Sequence, residues 1–147
     1  LVTGVGTGGT VTGCGEYLKK VNPNCKIYAV EPKKSAVISG GEAGSHAIQG
    51  IGAGFIPKVL KTEFIDEIIQ IEDDEAFYYG RLLAKMEGLL SGISSGAALA
   101  ATIKIGQRKE LINKRLIVIL PSFGERYLST AMFDTNSSIS ARNYGFL

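Results

Sequence analysis

The chain has 147 residues, 45% hydrophobic and 20% charged, with 16 basic and 14 acidic side chains and a formal net charge of +2. Those values suit one globular domain with a core of its own, and a balanced charge without long single-sign runs argues against nucleic-acid or membrane-surface binding. The longest uncharged stretch, Gly88 to Ile103, is broken by serines and glycines and is too short to span a bilayer. Cys14 and Cys25, outside any CxxC spacing, read as free thiols of a reducing, cytoplasmic compartment, with no metal site expected.

In chain order, Leu1-Val2-Thr3 reads as the end of a buried strand, cut short, so the sequence is expected to be a fragment of a longer protein. The glycine loop Gly4-Val5-Gly6-Thr7-Gly8-Gly9-Thr10 follows. Val11, Tyr17, Leu18 and Val21 at helical spacing predict a helix over Thr10 to Val21, stopped by Asn22-Pro23-Asn24. Lys26 to Val30 predicts a second strand, closed by Pro32, which cannot donate to a ladder. Lys33 to Lys61, glycine-rich and without lasting periodicity, predicts a long functional loop with a short helix near Ser35 to Ser39. Glu67 to Ile71 predicts a third strand. Asp73 or Asp74 is placed to cap a helix through Glu87, with Ala76, Leu82, Leu83 and Met86 as its apolar stripe.

Ser94-Ser95-Gly96 predicts a further helix start, its hydroxyls capping the first turn, and that helix runs to Gly106 or Arg108. The continuous apolar run Leu116 to Leu120 predicts a strand covered on both faces and ended by Pro121. Strands alternating with helices argue for an α/β fold with a largely parallel, twisted sheet and flanking helices, incomplete if the first strand is cut. Residues 1–133 are read as one domain and 134–147, polar and patternless, as a poorly ordered tail.

Gly4 to Gly9 satisfies GxGxxG, and Glu31 ends the next strand where the ribose-binding acid of a dinucleotide fold would stand. The physics is less selective than the motif. Glycines let backbone amides approach an anion, and the following helix adds the positive end of its dipole, which suits any phosphate. Thr7 and Thr10 add hydroxyl donors. Ser122, just after the most hydrophobic strand, stands where open α/β sheets meet their ligands, although capping a short helix near Gly124 explains it equally well. His46, the only histidine, lacks a visible partner for catalysis and is expected to orient backbone. The acids Glu72 to Glu75 suit a helix start. Tyr78 and Tyr79 suit packing or surface roles, and Cys14 is expected to be inert.

Four phrases then point to a family: the loop Gly4 to Thr10, His46-Ala47-Ile48-Gln49-Gly50-Ile51-Gly52-Ala53-Gly54-Phe55-Ile56-Pro57, Glu87 to Ala98, and Pro121 to Tyr127. In this order, over Leu1 to about Phe133, they resemble the C-terminal half of the cysteine synthase (O-acetylserine sulfhydrylase) family of fold-type II pyridoxal-phosphate enzymes. The resemblance implies that Gly6, Thr7, Gly8, Gly9 and Thr10 hold the cofactor phosphate, that Ser122 hydrogen-bonds the pyridine nitrogen, and that Gly92 lines the pocket by backbone. It also implies a transferase that turns O-acetylserine and sulfide into cysteine and acetate, with β-cyanoalanine synthase as a near relative. The family carries its cofactor-linked lysine and its substrate-gripping asparagine loop in the N-terminal half. None of the eleven lysines here has that context, so no catalytic residue is expected in this chain, which should be inactive alone. Family members are homodimers, and plant and bacterial ones bind serine acetyltransferase. Two other readings stay open: a nicotinamide-binding module, resting on GxGxxG and Glu31, and a truncated, non-catalytic interaction protein.

Overall fold

In the computed structural model, residues 1–134 are described, and strands β1 (Val2–Gly4), β2 (Tyr28–Pro32) and β3 (Glu67–Ile71) form a parallel sheet in the order β1-β2-β3. The register pairs Val2 with Tyr28 and Tyr28 with Glu67. Helix α1 (Gly9–Val21) connects β1 to β2, while α2 (Asp73–Glu87) and α3 (Ile93–Gly106) follow β3. Around β2, alternate residues separate two cores, as the period of a strand requires. Tyr28 and Val30 join Ile69, Ile71, Phe77, Ala97 and Ala101 beneath α2 and α3, whereas Ile27 and Ala29 join Val5, Val11 and Leu60 beneath α1. Helices thus cover both faces, and every residue of β2 is buried.

The α/β arrangement with a parallel sheet is the one expected, but several elements differ in detail. Leu116 to Leu120 is not a strand buried on both faces. It meets β1 at a single parallel bridge, Val2 to Val118, and Ile117 is 56% exposed. The segment flanks β1 at the sheet's edge, so its apolar run has one paired side among the described residues. On α1, only Val11 and Gly15 are buried. Tyr17 (65% exposed) and Val21 (57% exposed) leave the expected stripe, because the helix approaches its neighbour through Gly15, where a Cβ would stand 2.7 Å from that of Phe64.

Near Ser35 there is only a 3-10 turn, Lys33–Ser35. Helix α2 is capped by Glu72 rather than by an aspartate, with the Glu75 carboxylate accepting from the Glu72 amide at 3.1 Å. Its buried face carries Ala76, Phe77, Tyr79 and Leu83, while Met86 is exposed. Helix α3 begins one residue after Gly92, with no side chain capping it, so Ser94 and Ser95 lie inside its first turn instead of before it. The tail expected from Asp134 onward lies, past Asp134 itself, outside the described residues. Among the described residues no helix is long and apolar enough to cross a membrane.

Asp66, at the entrance to β3, ties the α1 side together. Its carboxylate accepts from Lys19 Nζ at 2.6 Å, Lys26 Nζ at 3.0 Å and the Ile27 amide at 2.8 Å. Burial pushes the carboxyl up, but the Lys19, Ile27 and Lys26 hydrogen bonds outweigh it and hold the group below its ordinary value. A depressed carboxylate stabilises the fold above the unfolded value of about 3.9, and that stabilisation fades as pH falls through the folded value. Asp66→Asn is therefore expected to lower the thermal midpoint at pH 7 and to flatten its decline towards pH 3. Parallel acid limbs for the two proteins would remove Asp66 as the cause.

Candidate cofactor site

Strand β1 delivers the chain to the glycine loop, where the Val5 amide still bonds to the Val30 carbonyl at 3.0 Å before the backbone turns into α1. The turn is made at Gly8, at φ 87°, a left-handed conformation that glycine enters without steric cost. No side chain caps α1 at Gly8, so the first-turn amides, which have no intrahelical partner, open into the space ahead of the helix. Thr7 Oγ1 is 3.4 Å from the Gly9 amide, a weak contact that leaves the hydroxyl available. The dipole and these amides would suit an anion at this helix end.

The 36–60 segment lies against the back of the loop and fixes its shape. The Gly52 amide donates to the Val5 carbonyl at 3.1 Å, and a Cβ on Gly6 would lie 2.5 Å from the Gly50 carbonyl oxygen. Side chains hold this segment at several points. His46 accepts from the Ile48 amide at Nδ1 (3.2 Å) and contacts the Gly52 carbonyl through Nε2 (2.9 Å), so it orients backbone. Asp73 accepts from the Ala47 amide at 3.0 Å and from Lys34 at 2.7 Å. Glu31, 1% exposed, accepts from the Ile38 amide at 2.9 Å, the Ser39 amide at 3.1 Å and the Ser39 hydroxyl. Both of its oxygens are committed to this loop, so Glu31 is not free to grip a ribose.

The opposite wall comes from the other end of the described chain. Val2 donates to the Ile117 carbonyl at 2.8 Å and accepts from the Ile119 amide at 3.0 Å, which lays the 116–120 segment beside β1 and brings Ser122 to the carboxyl end of the sheet. There Gly92 donates to the Ser122 carbonyl at 2.9 Å and Gly124 to the Leu90 carbonyl at 3.0 Å, around an antiparallel bridge between Ser91 and Phe123. A 3-10 turn, Gly124–Tyr127, then returns Tyr127 OH to 3.3 Å from Ser122 Oγ. Beyond it, buried Met132 packs on Gly80, and Arg81 Nη1 bonds the Met132 carbonyl at 2.7 Å, anchoring the wall on α2.

Between the walls is a cleft of about 370 Å³, lined by Gly6, Thr7, Gly8, Gly9, Thr10, Gly50, Ile51, Ser94, Ser122, Arg126 and Tyr127 among others. Six of the seven residues singled out in the sequence meet in it. Gly92 does not line it. It stands behind the wall, where any Cβ would run into Ser122 Oγ and the Tyr127 ring, so its part is to admit that pair. Sequence reasoning assigned no role to Arg126 or Tyr127 and took Ser94 for a cap. The signal for Tyr127 was its spacing from Ser122 across a turn beginning at Gly124. Among the described residues no carboxylate lines the cleft, and Arg126 is the one charged side chain there.

The cleft thus has an uncapped helix end on one side and a neutral hydroxyl on the other. The family model described as "Pyridoxal-phosphate dependent enzyme" matches residues 1–122. The chain belongs to that family. Within the pyridoxal-phosphate-dependent enzymes it is similar to cysteine synthase of Staphylococcus aureus (strain Mu50), 53% identical over 133 residues, covering 90% of this chain and 42% of the relative. It is also similar in structure to cysteine synthase of Entamoeba histolytica, at TM-score 0.88 and 49% identity, over 90% of this chain and 39% of the other. With O-acetyl serine sulfhydrylase isoform 3 of the same organism the TM-score is 0.89 and the identity 48%, over 91% and 40%. The chain thus spans about two fifths of the length of these relatives. The fold-type II resemblance noted in the sequence is borne out, and the cofactor of the family is pyridoxal phosphate.

Proposed function

We propose that this chain supplies the cofactor-holding part of a cysteine synthase, a pyridoxal-phosphate-dependent transferase that makes cysteine and acetate from O-acetylserine and sulfide. The observation that carries the reading is the meeting of Gly6 to Thr10 with Ser122 across one cleft. The residues present fit the cofactor. A phosphate dianion is matched by the uncapped end of α1 and by the Thr7 and Thr10 hydroxyls. A pyridine nitrogen is matched by a neutral serine, with no carboxylate among the described lining residues to hold it protonated. When bound, pyridoxal phosphate supplies the electron sink for the substrate's α-carbon, moderated by an unprotonated ring nitrogen in a way that suits replacement at the β-carbon.

This chain's own residues bind and orient. Residues Gly6, Thr7, Gly8, Gly9 and Thr10 hold the phosphate, and Ser122 holds the ring, with Gly92 admitting Ser122 to its place. No lysine lines the described cleft, which supports assigning the covalent and proton-moving steps to the part of the relatives that this chain does not match. In the complete protein a homodimer, and association with serine acetyltransferase, accompany this reading. The domain extends over residues 1–133.

The chain is expected to bind pyridoxal phosphate saturably in a fluorescence titration, to lose it to competing inorganic phosphate, and to form no cysteine from O-acetylserine and sulfide. Turnover by the chain alone would overturn the division of labour. A flat titration would remove the cofactor reading itself.

A further inference from the structure

We propose that Tyr127 is a positioning residue that sets which way the Ser122 hydroxyl points its hydrogen. The inference rests on the reading of Ser122 as the partner of the cofactor's ring nitrogen. Tyr127 OH is 3.3 Å from Ser122 Oγ, and the tyrosine is 5% exposed, within the core beneath α2 and α3. Its ring occupies the space that a Cβ on Gly92 would need, and the Thr130 amide and hydroxyl both bond its carbonyl, at 3.0 and 2.6 Å, so the phenol is delivered from a fixed backbone. Ser122, by contrast, is only half-buried, with its backbone held by the Gly92 amide and its hydroxyl turned to the cleft.

Of two hydroxyls in contact, the more acidic phenol is the stronger donor and the aliphatic oxygen the stronger acceptor. Tyr127 therefore donates, Ser122 accepts, and the serine hydrogen is left to point into the cleft. In that orientation Ser122 donates to a nitrogen lone pair, whereas meeting a pyridinium N–H would require the serine hydroxyl to turn and use its second lone pair. The two bonds polarise in the same direction and strengthen one another. At 3.3 Å the first is long for two hydroxyls, and such bonds commonly tighten when the site is filled. The tyrosine thus strengthens the serine's donation to a ring nitrogen that carries no proton.

The test uses the whole chain with pyridoxal phosphate labelled with nitrogen-15 in the ring, read by the nitrogen chemical shift. Tyr127→Phe keeps the ring against Gly92 and removes only the oxygen, and the bound nitrogen is expected to move downfield, towards an unbonded pyridine. A 3,5-difluorotyrosine at the same position, a stronger donor on an unchanged frame, should move it the other way. Equal shifts in all three proteins, or a move towards pyridinium with phenylalanine, would overturn the proposal while leaving the cofactor reading intact. A wild-type chain that binds no labelled cofactor would overturn both.

Discussion

Gly8→Ala is expected to weaken pyridoxal-phosphate binding at least about tenfold while also destabilising the fold. At φ 87° an L-residue is strained by about 1 to 2 kcal/mol. The new Cβ would stand 2.6 Å from Leu60 Cβ and 2.8 Å from Leu60 Cα. Backbone cannot swing away as a side-chain tip can, so overpacking adds about 1 to 3 kcal/mol. Relief comes only by moving the loop, and an amide that leaves the phosphate forfeits a charge-assisted bond of about 1.5 to 3 kcal/mol. Gly13→Ala is the matched control, since a Cβ there meets nothing within 4 Å on the same helix. It should bind normally and gain about 0.5 to 1 kcal/mol from the loss of helical glycine. Fluorescence titration and urea denaturation of both variants separate the two effects. Unchanged affinity in Gly8→Ala would mean that the loop does not hold the phosphate.

Gly96→Ala sets two principles against each other, and magnitude decides. Helix propensity favours alanine over glycine by about 1 kcal/mol. At this position, however, α3 crosses α2, and the Cβ would run into the Ala76 carbonyl oxygen, with the Gly80 nitrogen at 2.7 Å and its Cα at 3.0 Å. The opposing surface is helix backbone at a second glycine, so neither side has a rotamer to change. A penalty of about 3 kcal/mol outweighs the propensity and removes a large fraction of a small domain's stability. The urea midpoint should fall steeply. A midpoint at or above that of the parent protein would show that the helices do not approach through these glycines.

What could be seen in the sequence was whatever depends on local spacing. The alternation through Ile27 to Val30 sorts residues to two cores, and the glycines from Gly4 to Gly9 mark a backbone that must come close to something. What could not be seen depends on the neighbour. Leu116 to Leu120 reads the same whether a strand is enclosed or flanks an edge, because an apolar run reports the residues and not what covers them. Glu31 occupies the place of a ribose ligand by sequence, and only the return of Ile38 and Ser39 reveals where its lone pairs go. Tyr17 and Val21 keep helical spacing on α1, yet the contact is made by Gly15, which no hydrophobic pattern would select. Ser122 and Gly92 were legible as important and illegible as a pair. Their relation is a backbone hydrogen bond and a steric fit, between segments distant in sequence that an antiparallel bridge brings together.

The two backbone hydrogen bonds that Val2 makes, donating to Ile117 and accepting from Ile119, connect the walls of the cleft across almost the whole described chain. Such a contact closes a very long loop, and the entropy of that closure opposes it. A ligand that needs both walls therefore sees only the molecules in which this seam is shut, and its apparent affinity is reduced by the open fraction. The same linkage runs in reverse: cofactor captured across the cleft holds the seam closed, and protection of the Ile119 amide from hydrogen exchange should rise with its concentration.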